Sequence, residues 1–261
     1  MAIAWTGSGL LLAATLLLCL EIYQVDTTCT AIPKGFVSIA DVAPTILREI
    51  RYDGFHNFVG RPITGYIDPL CILTEQAAKA LAAAQDDFMS MSPRYTIKVY
   101  DCYRPQMAVD DFVRWSQNPN DTRMKGEFYP TLNKSELFPQ GYIAKNSGHS
   151  RGSTSDLTIV LYPPPSEEKY YPGQKLLPCF NPFPDRFRDN SLDMGTGFDC
   201  FSPIAHTNSS KVTKEQMQHR MLLKAVMDKH SFTNYPNEWW HYTLNNEPFP
   251  DTYFNFSVKC H

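Results

Sequence analysis

Three stretches of the chain place apolar residues at helical spacing and begin with a helix-start signal. Residues 74–89 open with Thr74 as a capping side chain and Glu75 in the first turn. Residues 105–117 open with a proline, and residues 213–229 open with a Thr-x-x-Gln capping box. The pattern therefore predicts three helices. The inward side of the third is predicted to carry Met217, Met221, Leu222 and Ala225.

Other stretches alternate between apolar and polar residues, which is typical of strands. Residues 95–100 alternate in this way, and so do residues 156–161, where Asp156 begins the run. We interpret the second run as a half-buried strand with the Asp156 carboxylate at its mouth.

Residues 238–244 are predicted to form the last strand. Within it, Glu238 and His241 are three positions apart, so a regular strand would place them on opposite faces. A turn or bulge is therefore predicted there, bringing both side chains to one side.

The regions between these elements are predicted to be loops. Residues 118–145 are polar and broken, which favours a surface loop, and residues 163–192 contain seven prolines and little periodicity. This Pro-rich insertion forms either a rim or lid over a site or a plain surface loop. No internal repeat divides the chain, so residues 29–261 are predicted to be one domain.

The first 28 residues have the pattern of a signal peptide. Residues 10–20 form an apolar block too short to span a bilayer comfortably. The alternative is an uncleaved anchor; we expect a cleaved leader, with no stable membrane insertion afterwards. The net charge of -3 gives no reason to expect nucleic acid as a partner.

Cysteines and glycosylation sequons also favour the secretory route. Six cysteines follow the leader, an even number that suggests three disulfides, and only Cys179 with Cys200 is a specific expectation because they bracket a Pro-rich excursion. Four Asn-x-Ser/Thr acceptor sequons occur, beginning at Asn120, Asn133, Asn208 and Asn255. We therefore expect a secreted, disulfide-bonded glycoprotein.

Two stretches carry the residue types of a catalytic metal site. The first contains His149 and Asp156, and the second contains Glu238 and His241. Two imidazoles and a carboxylate as ligands, with a second carboxylate as base, are the components of a zinc site that leaves a position open for water. Gly152 lets the backbone turn tightly between the first two residues.

Four segments carry a resemblance to a known family: Ser147-Gly-His149-Ser-Arg-Gly-Ser-Thr-Ser-Asp156-Leu-Thr, Glu238-Trp-Trp-His241-Tyr, Asp101-Cys-Tyr-Arg104-Pro and Met194-Gly-Thr-Gly-Phe-Asp199. They are similar to the zinc D-alanyl-D-alanine dipeptidases of the VanX type, and the similarity runs from about residue 51 to residue 259. The resemblance implies an α+β fold, a single domain with a central antiparallel sheet flanked by helices and a zinc site at the sheet. One departure is Thr154, where the family usually has alanine.

The resemblance also implies roles for individual positions. The zinc ligands are expected to be His149, Asp156 and His241. Glu238 matches the general base, and Arg104 matches the arginine that stabilises the tetrahedral intermediate. The groups expected around the free ammonium of the substrate are Asp199, Tyr52 and Ser147.

The expected activity is hydrolysis of D-Ala-D-Ala or a similar small dipeptide with a free amino terminus, using one Zn²⁺ per chain. One alternative is a D,D-carboxypeptidase or endolysin-like peptidase that acts on longer cell-wall peptides. The other is a non-catalytic protein that binds wall fragments, although such a protein needs neither Glu238 nor Arg104. The oligomeric state stays open.

Overall fold

A computed structural model of the chain describes Met1, Cys29 and residues 31–183 and 185–261. The predicted signal peptide, apart from Met1, lies outside the described residues and stays a prediction. Within the described part, no helix combines the length and the apolar character needed to cross a membrane.

The described residues form seven strands and six α-helices. The strands are β1 (Phe36–Ser38), β2 (Leu47–Arg48), β3 (Ile72–Thr74), β4 (Tyr95–Asp101), β5 (Thr154–Leu161), β6 (Phe232–Asn234) and β7 (His241–Leu244). The α-helices are α1 (Ile39–Val42), α2 (Glu75–Ser90), α3 (Gln106–Ser116), α4 (Lys125–Phe128), α5 (Lys134–Leu137) and α6 (Lys214–Lys229).

Five strands form the central sheet, in the order β2–β4–β5–β7–β6. Neighbouring strands are antiparallel except β2 and β4, which are parallel. A smaller antiparallel sheet pairs β1 with β3. Helices α2 and α6 contact each other and pack against β4 and β6. The predicted α+β architecture is confirmed.

The middle strand, β5, is more deeply buried than its alternating pattern predicted. Every residue of β5 except Leu161 is buried, including the polar Thr158. Asp156 is therefore an interior residue of a central strand, and the prediction of a half-buried strand was wrong. Alternation in the sequence does not reveal that the polar positions also face packed structure.

The three predicted helices are confirmed as α2, α3 and α6, each within one residue of its predicted ends. The Thr74 hydroxyl accepts a hydrogen bond from the Ala77 N–H, and the Thr213 hydroxyl accepts one from the Gln216 N–H. Side-chain capping therefore sets where α2 and α6 begin.

The buried face of α6 differs from the predicted one. Ala225 is exposed, and the buried residues of α6 are Arg220, Leu223, Val226 and Met227. Arg220 is fully buried because its guanidinium donates hydrogen bonds to the carbonyls of Met194, His206 and Ile204. An inward arginine with only main-chain partners interrupts the apolar pattern, so the sequence indicated the wrong side.

Residues 118–145 are not a simple surface loop, so that prediction was wrong. The segment contains α4 and α5 and contributes buried apolar side chains, including Phe128, Tyr129 and Leu137. Tyr129 packs edge-on against Trp115 of α3 with ring centroids 5.7 Å apart. These apolar residues follow no regular period, so their burial could not be recognised before the tertiary contacts were known.

The 163–192 insertion has neither helix nor strand among its described residues. The buried Lys98 of β4 donates a hydrogen bond to the Glu167 carboxylate at 2.7 Å. The ring of His56 stacks on Tyr170 with centroids 4.4 Å apart. Both contacts fasten the insertion to the body of the protein.

The six cysteines that follow the predicted leader are all paired in the structure. The pairs are Cys29–Cys260, Cys71–Cys102 and Cys179–Cys200. The last is the pairing that the sequence suggested.

Candidate metal centre

His149, Asp156 and His241 converge at the middle of the central sheet. His149 lies on a 3₁₀ turn, residues 148–151, that leads into β5. Asp156 lies on β5, and His241 is the first residue of β7, directly opposite Asp156 in the β5–β7 ladder. Strand pairing therefore brings together residues that are distant in the sequence.

The three donor atoms form a triangle of the size that a metal ion requires. His149 Nε2 lies 3.2 Å and His241 Nδ1 lies 3.1 Å from Asp156 Oδ1, and the two ring nitrogens are 3.3 Å apart. Two ligands of a tetrahedral ion, each at about 2.0–2.1 Å, are separated by about 3.3 Å. The distances fit one shared ion.

The hydrogen bonding around the triangle also fits a cation. His149 Nδ1 donates a hydrogen bond to the Cys102 carbonyl at 2.7 Å. In the neutral imidazole, Nε2 therefore keeps a lone pair for a metal ion. Asp156 Oδ1 is buried without a hydrogen-bond partner among the described residues, although both imidazoles are close. Burial raises the pKa of the Asp156 carboxyl, but positive charge on the two imidazoles offsets this and holds the pKa below its usual range, and a metal cation bound by neutral imidazoles would supply that positive charge instead. The site offers lone pairs and negative charge to a metal.

Gly152 makes the turn between His149 and Asp156 possible, as the sequence predicted. Its φ is +82°, in the left-handed region that favours glycine. A Cβ at this position would lie 2.2 Å from the Phe36 ring. Any other residue would therefore push apart the turn that carries His149.

Glu238 lies beside the triangle, as the predicted turn requires. Residues 239–240 form a turn, and the strand begins at His241, three residues later than the sequence suggested. Glu238 Oε2 is 3.4 Å from His241 Nδ1. The side chain is 21% exposed, yet burial in the protein and the nearby Asp156 charge raise the pKa of Glu238 to about 7.

Asn234 of β6, which no motif in the sequence indicated, holds this turn closed. Its side-chain N–H₂ donates to the carbonyls of Glu238 and His241 at 2.9 and 3.0 Å. Its carbonyl oxygen accepts from the Thr207 hydroxyl at 2.6 Å. A single side-chain amide therefore fixes the main chain at both Glu238 and His241. In the sequence, only its position four residues before Glu238 connects Asn234 with the site.

We expect Asn234→Asp to lower metal affinity and catalytic rate about 10- to 100-fold, as loss of supporting hydrogen bonds around a metal does. The new carboxylate oxygen would face the Glu238 and His241 carbonyl oxygens, which accept hydrogen bonds from the Asn234 amide in the wild type. Repulsion between these oxygens would open the turn. Titration with metal and measurement of kcat would test this. Asn245→Asp, at an exposed asparagine that accepts from Thr233, is the matched control. Unchanged affinity and rate in Asn234→Asp would contradict the expected role.

Arg104 points its guanidinium toward the triangle. Its Nε donates to Asp101 at 2.8 Å, and the Tyr66 hydroxyl donates to the other oxygen of Asp101 at 2.6 Å. The guanidinium lies 4.9 Å from the centre of the Tyr52 ring, and one of its nitrogens is 3.5 Å from Asp156. The buried Asp101 therefore sets the direction of Arg104.

Asp199 and Tyr52 meet in the same region. The Tyr52 hydroxyl donates to Asp199 Oδ2 at 2.7 Å. Asp199 has φ +55°, a conformation that aspartate and asparagine tolerate better than most residues. Burial, together with the charge of Asp156, raises the pKa of Asp199 well above its usual range. A cation placed here would stabilise the ionised carboxylate.

These residues line one cavity of about 300 Å³. All eight predicted positions border it: Tyr52, Arg104, Ser147, His149, Asp156, Asp199, Glu238 and His241. Its wall also includes residues 141–144, four residues of the 118–145 segment that was predicted to be a surface loop. No described residue of the 163–192 insertion borders it, so the insertion does not form a lid in this structure.

Comparison with known proteins identifies one family. The profile of the family described as D-ala-D-ala dipeptidase matches residues 33–162 and 187–259. The unmatched stretch between them lies within the Pro-rich insertion.

Relatives over most of the chain are bacterial proteins named D-alanyl-D-alanine dipeptidase. The protein from Streptomyces coelicolor is 35% identical over 223 residues, covering 85% of this chain and 98% of its own. That from Enterococcus faecalis is 34% identical, covering 87% and 99%. That from Escherichia coli is 26% identical, covering 80% and 83%.

Proposed function

The chain belongs to the D-Ala-D-Ala dipeptidase family of metallopeptidases, and from that premise we propose that it is a zinc enzyme that hydrolyses D-Ala-D-Ala and similar dipeptides with a free amino terminus. One observation carries the proposal: His149, Asp156 and His241 meet around a single point beside Glu238. The family membership inferred from the sequence is confirmed; the metal and the role of each residue are the proposal.

The donor set supports zinc in particular. Two imidazole nitrogens and a carboxylate oxygen, with one position left open, are a ligand set of catalytic zinc sites. The Nε2 lone pair of His149 and the unpartnered Asp156 oxygen are the donors that such an ion needs. A bound zinc ion would supply Lewis-acid chemistry, making a water molecule more acidic and polarising the substrate carbonyl.

Glu238 is assigned as the general base. Its carboxylate borders the cavity next to His241 but is not part of the donor triangle. From there it takes a proton from the attacking water and passes the proton to the leaving amine.

Arg104 is assigned to the oxyanion that forms from the attacked carbonyl. Its salt bridge to Asp101 holds the guanidinium in place before the substrate arrives. A charged donor oriented in advance stabilises developing negative charge without reorganisation, and removing one such donor typically costs about 3 kcal/mol.

Asp199 is assigned to the free ammonium of the substrate, with Tyr52 orienting the carboxylate and Ser147 nearby on the cavity wall. An ammonium pairs with this buried carboxyl and keeps it ionised, whereas an acylated nitrogen carries no positive charge to pair with it. This contact selects a free amino terminus, so the site favours dipeptides over internal peptide bonds.

The test is release of alanine from D-Ala-D-Ala by the purified chain before and after chelation. We expect chelation to abolish turnover and about one equivalent of zinc per chain to restore it. D,D-, L,D- and L,L-dipeptides assayed together will define the stereochemical preference.

A wall pentapeptide is the matched comparison substrate. Faster release from the pentapeptide than from the dipeptide would favour a D,D-carboxypeptidase. Zinc bound in stoichiometric amount with no turnover of any peptide would reject the enzymatic function and favour a binding protein.

A further inference from the structure

The Cys71–Cys102 disulfide lies outside the residues that border the cavity, yet it reaches the candidate metal centre through one atom. The Cys102 carbonyl accepts the Nδ1 proton of His149 at 2.7 Å. Both cysteines are buried, with 0% and 1% of their surface exposed. The carbonyl that sets the tautomer and direction of His149 therefore belongs to a disulfide-bonded residue.

The strand next to Cys71, β3, braces the same region at two further points. The Ile72 carbonyl accepts from the Tyr103 N–H at 2.9 Å. At the other end of β3, the Thr74 N–H donates to the Gly152 carbonyl at 2.8 Å, and the Thr74 hydroxyl lies 2.8 Å from the Ser153 hydroxyl. One short strand thus contacts the segment after β4 and the turn before β5.

His149 sits between these two segments. Its ring is held by the Cys102 carbonyl, and its own main-chain carbonyl accepts from the Arg104 N–H at 3.3 Å. The spacing between the two segments sets where Nε2 of His149 points. The disulfide and the Thr74 contacts are the two ends of the brace that maintains this spacing.

We propose that the Cys71–Cys102 disulfide is a positioning device for His149, so that metal affinity depends on this covalent link. The proposal rests on the zinc site of the proposed function and adds to it a structural requirement for binding. Loss of a partner that orients a metal-binding histidine typically weakens metal binding about 10- to 100-fold.

The experiment compares two double variants of the full chain, C71A/C102A and C29A/C260A. The Cys29–Cys260 bond spans 231 positions, against 31 for Cys71–Cys102, so its loss should release more chain entropy on unfolding. Neither cysteine of this control pair borders the cavity. The control variant is therefore expected to lose at least as much thermal stability.

We expect the two variants to separate in metal binding rather than in stability. Competition with a chromogenic chelator should show zinc affinity reduced about 10- to 100-fold in C71A/C102A and within about twofold of wild type in C29A/C260A. The visible spectrum of bound Co²⁺, which reports the coordination geometry, should change only in C71A/C102A.

Equal zinc affinity and equal Co²⁺ spectra in C71A/C102A and wild type would overturn the positioning role while leaving the proposed enzyme intact. A wild-type chain that binds no zinc would instead reject the proposed function. The two failures are therefore distinguishable.

If C71A/C102A does not fold, wild-type protein loaded with zinc is treated with a water-soluble phosphine. The phosphine takes oxygen from water to form its oxide, and the S–S bond gains two electrons and two protons to give two thiols. Zinc release is expected when Cys71 and Cys102 become open to alkylation while far-UV circular dichroism is retained. Retention of zinc after both have been alkylated would overturn the proposal.

Discussion

Replacing Glu238 with glutamine is expected to lower kcat on D-Ala-D-Ala by about 10²- to 10⁴-fold while zinc remains bound. Glutamine keeps the size of the side chain and its ability to hydrogen-bond water, but it cannot accept the proton of the attacking water. The three donor atoms belong to His149, Asp156 and His241, so the substitution removes no ligand. Metal content and single-turnover rate should be measured on the same preparation.

Two further variants test whether the lost rate is due to the missing carboxylate of Glu238. Glu238→Asp keeps a carboxylate on a shorter side chain and should recover part of the rate. Glu215→Gln, at an exposed glutamate in the first turn of α6, should match the wild type. A near-normal rate in Glu238→Gln would remove this residue from the proton-transfer step and would require another acceptor.

Replacing Asp199 with asparagine is expected to lower kcat/KM for D-Ala-D-Ala by about 10²- to 10⁴-fold. Breaking one side of a buried ion pair costs about 3–5 kcal/mol, and each 1.4 kcal/mol is about a factor of ten. Asparagine has nearly the same shape and tolerates the φ of +55° at this position, so the backbone should stay in place.

The same variant assayed with N-acetyl-D-Ala-D-Ala completes a double-mutant cycle. The wild type should discriminate strongly between the free and the acetylated dipeptide, because only the free ammonium pairs with Asp199. Asp199→Asn should lose most of this discrimination. Additive effects of the substitution and the acetylation would show that Asp199 does not contact the ammonium.

The helices show which features a local sequence pattern can predict and which it cannot. α2 and α6 begin where Thr74 and Thr213 cap them, because a cap is formed by residues a few positions apart. Which face of α6 is buried depends instead on carbonyls supplied by Met194, Ile204 and His206. Nothing inside the helix indicates that these carbonyls accept from Arg220.

The residues that line the cavity likewise fall into those that the sequence could predict and those that it could not. Residue types at short spacing identified His149, Asp156, Glu238 and His241, and the turn before His241 follows from the three-residue spacing. The contribution of residues 141–144 to the cavity wall could not be recognised, because their sequence carries no period and their position depends on hydrogen bonds from the Tyr142 and Ile143 N–H groups to the Leu137 carbonyl at the end of α5.

The amino-acid sequence by itself determined the candidate ligands, the nearby carboxylate, the three long helices and the family, because each depends on residue type and on spacing along the chain. Only the tertiary structure decided that Asn234 clamps the turn at Glu238 and that the Cys102 carbonyl orients His149. It also decided that the insertion lies away from the cavity. Those arrangements depend on strand pairing and on contacts between distant segments, whose geometry is set by the packing of the whole molecule and has no local signature.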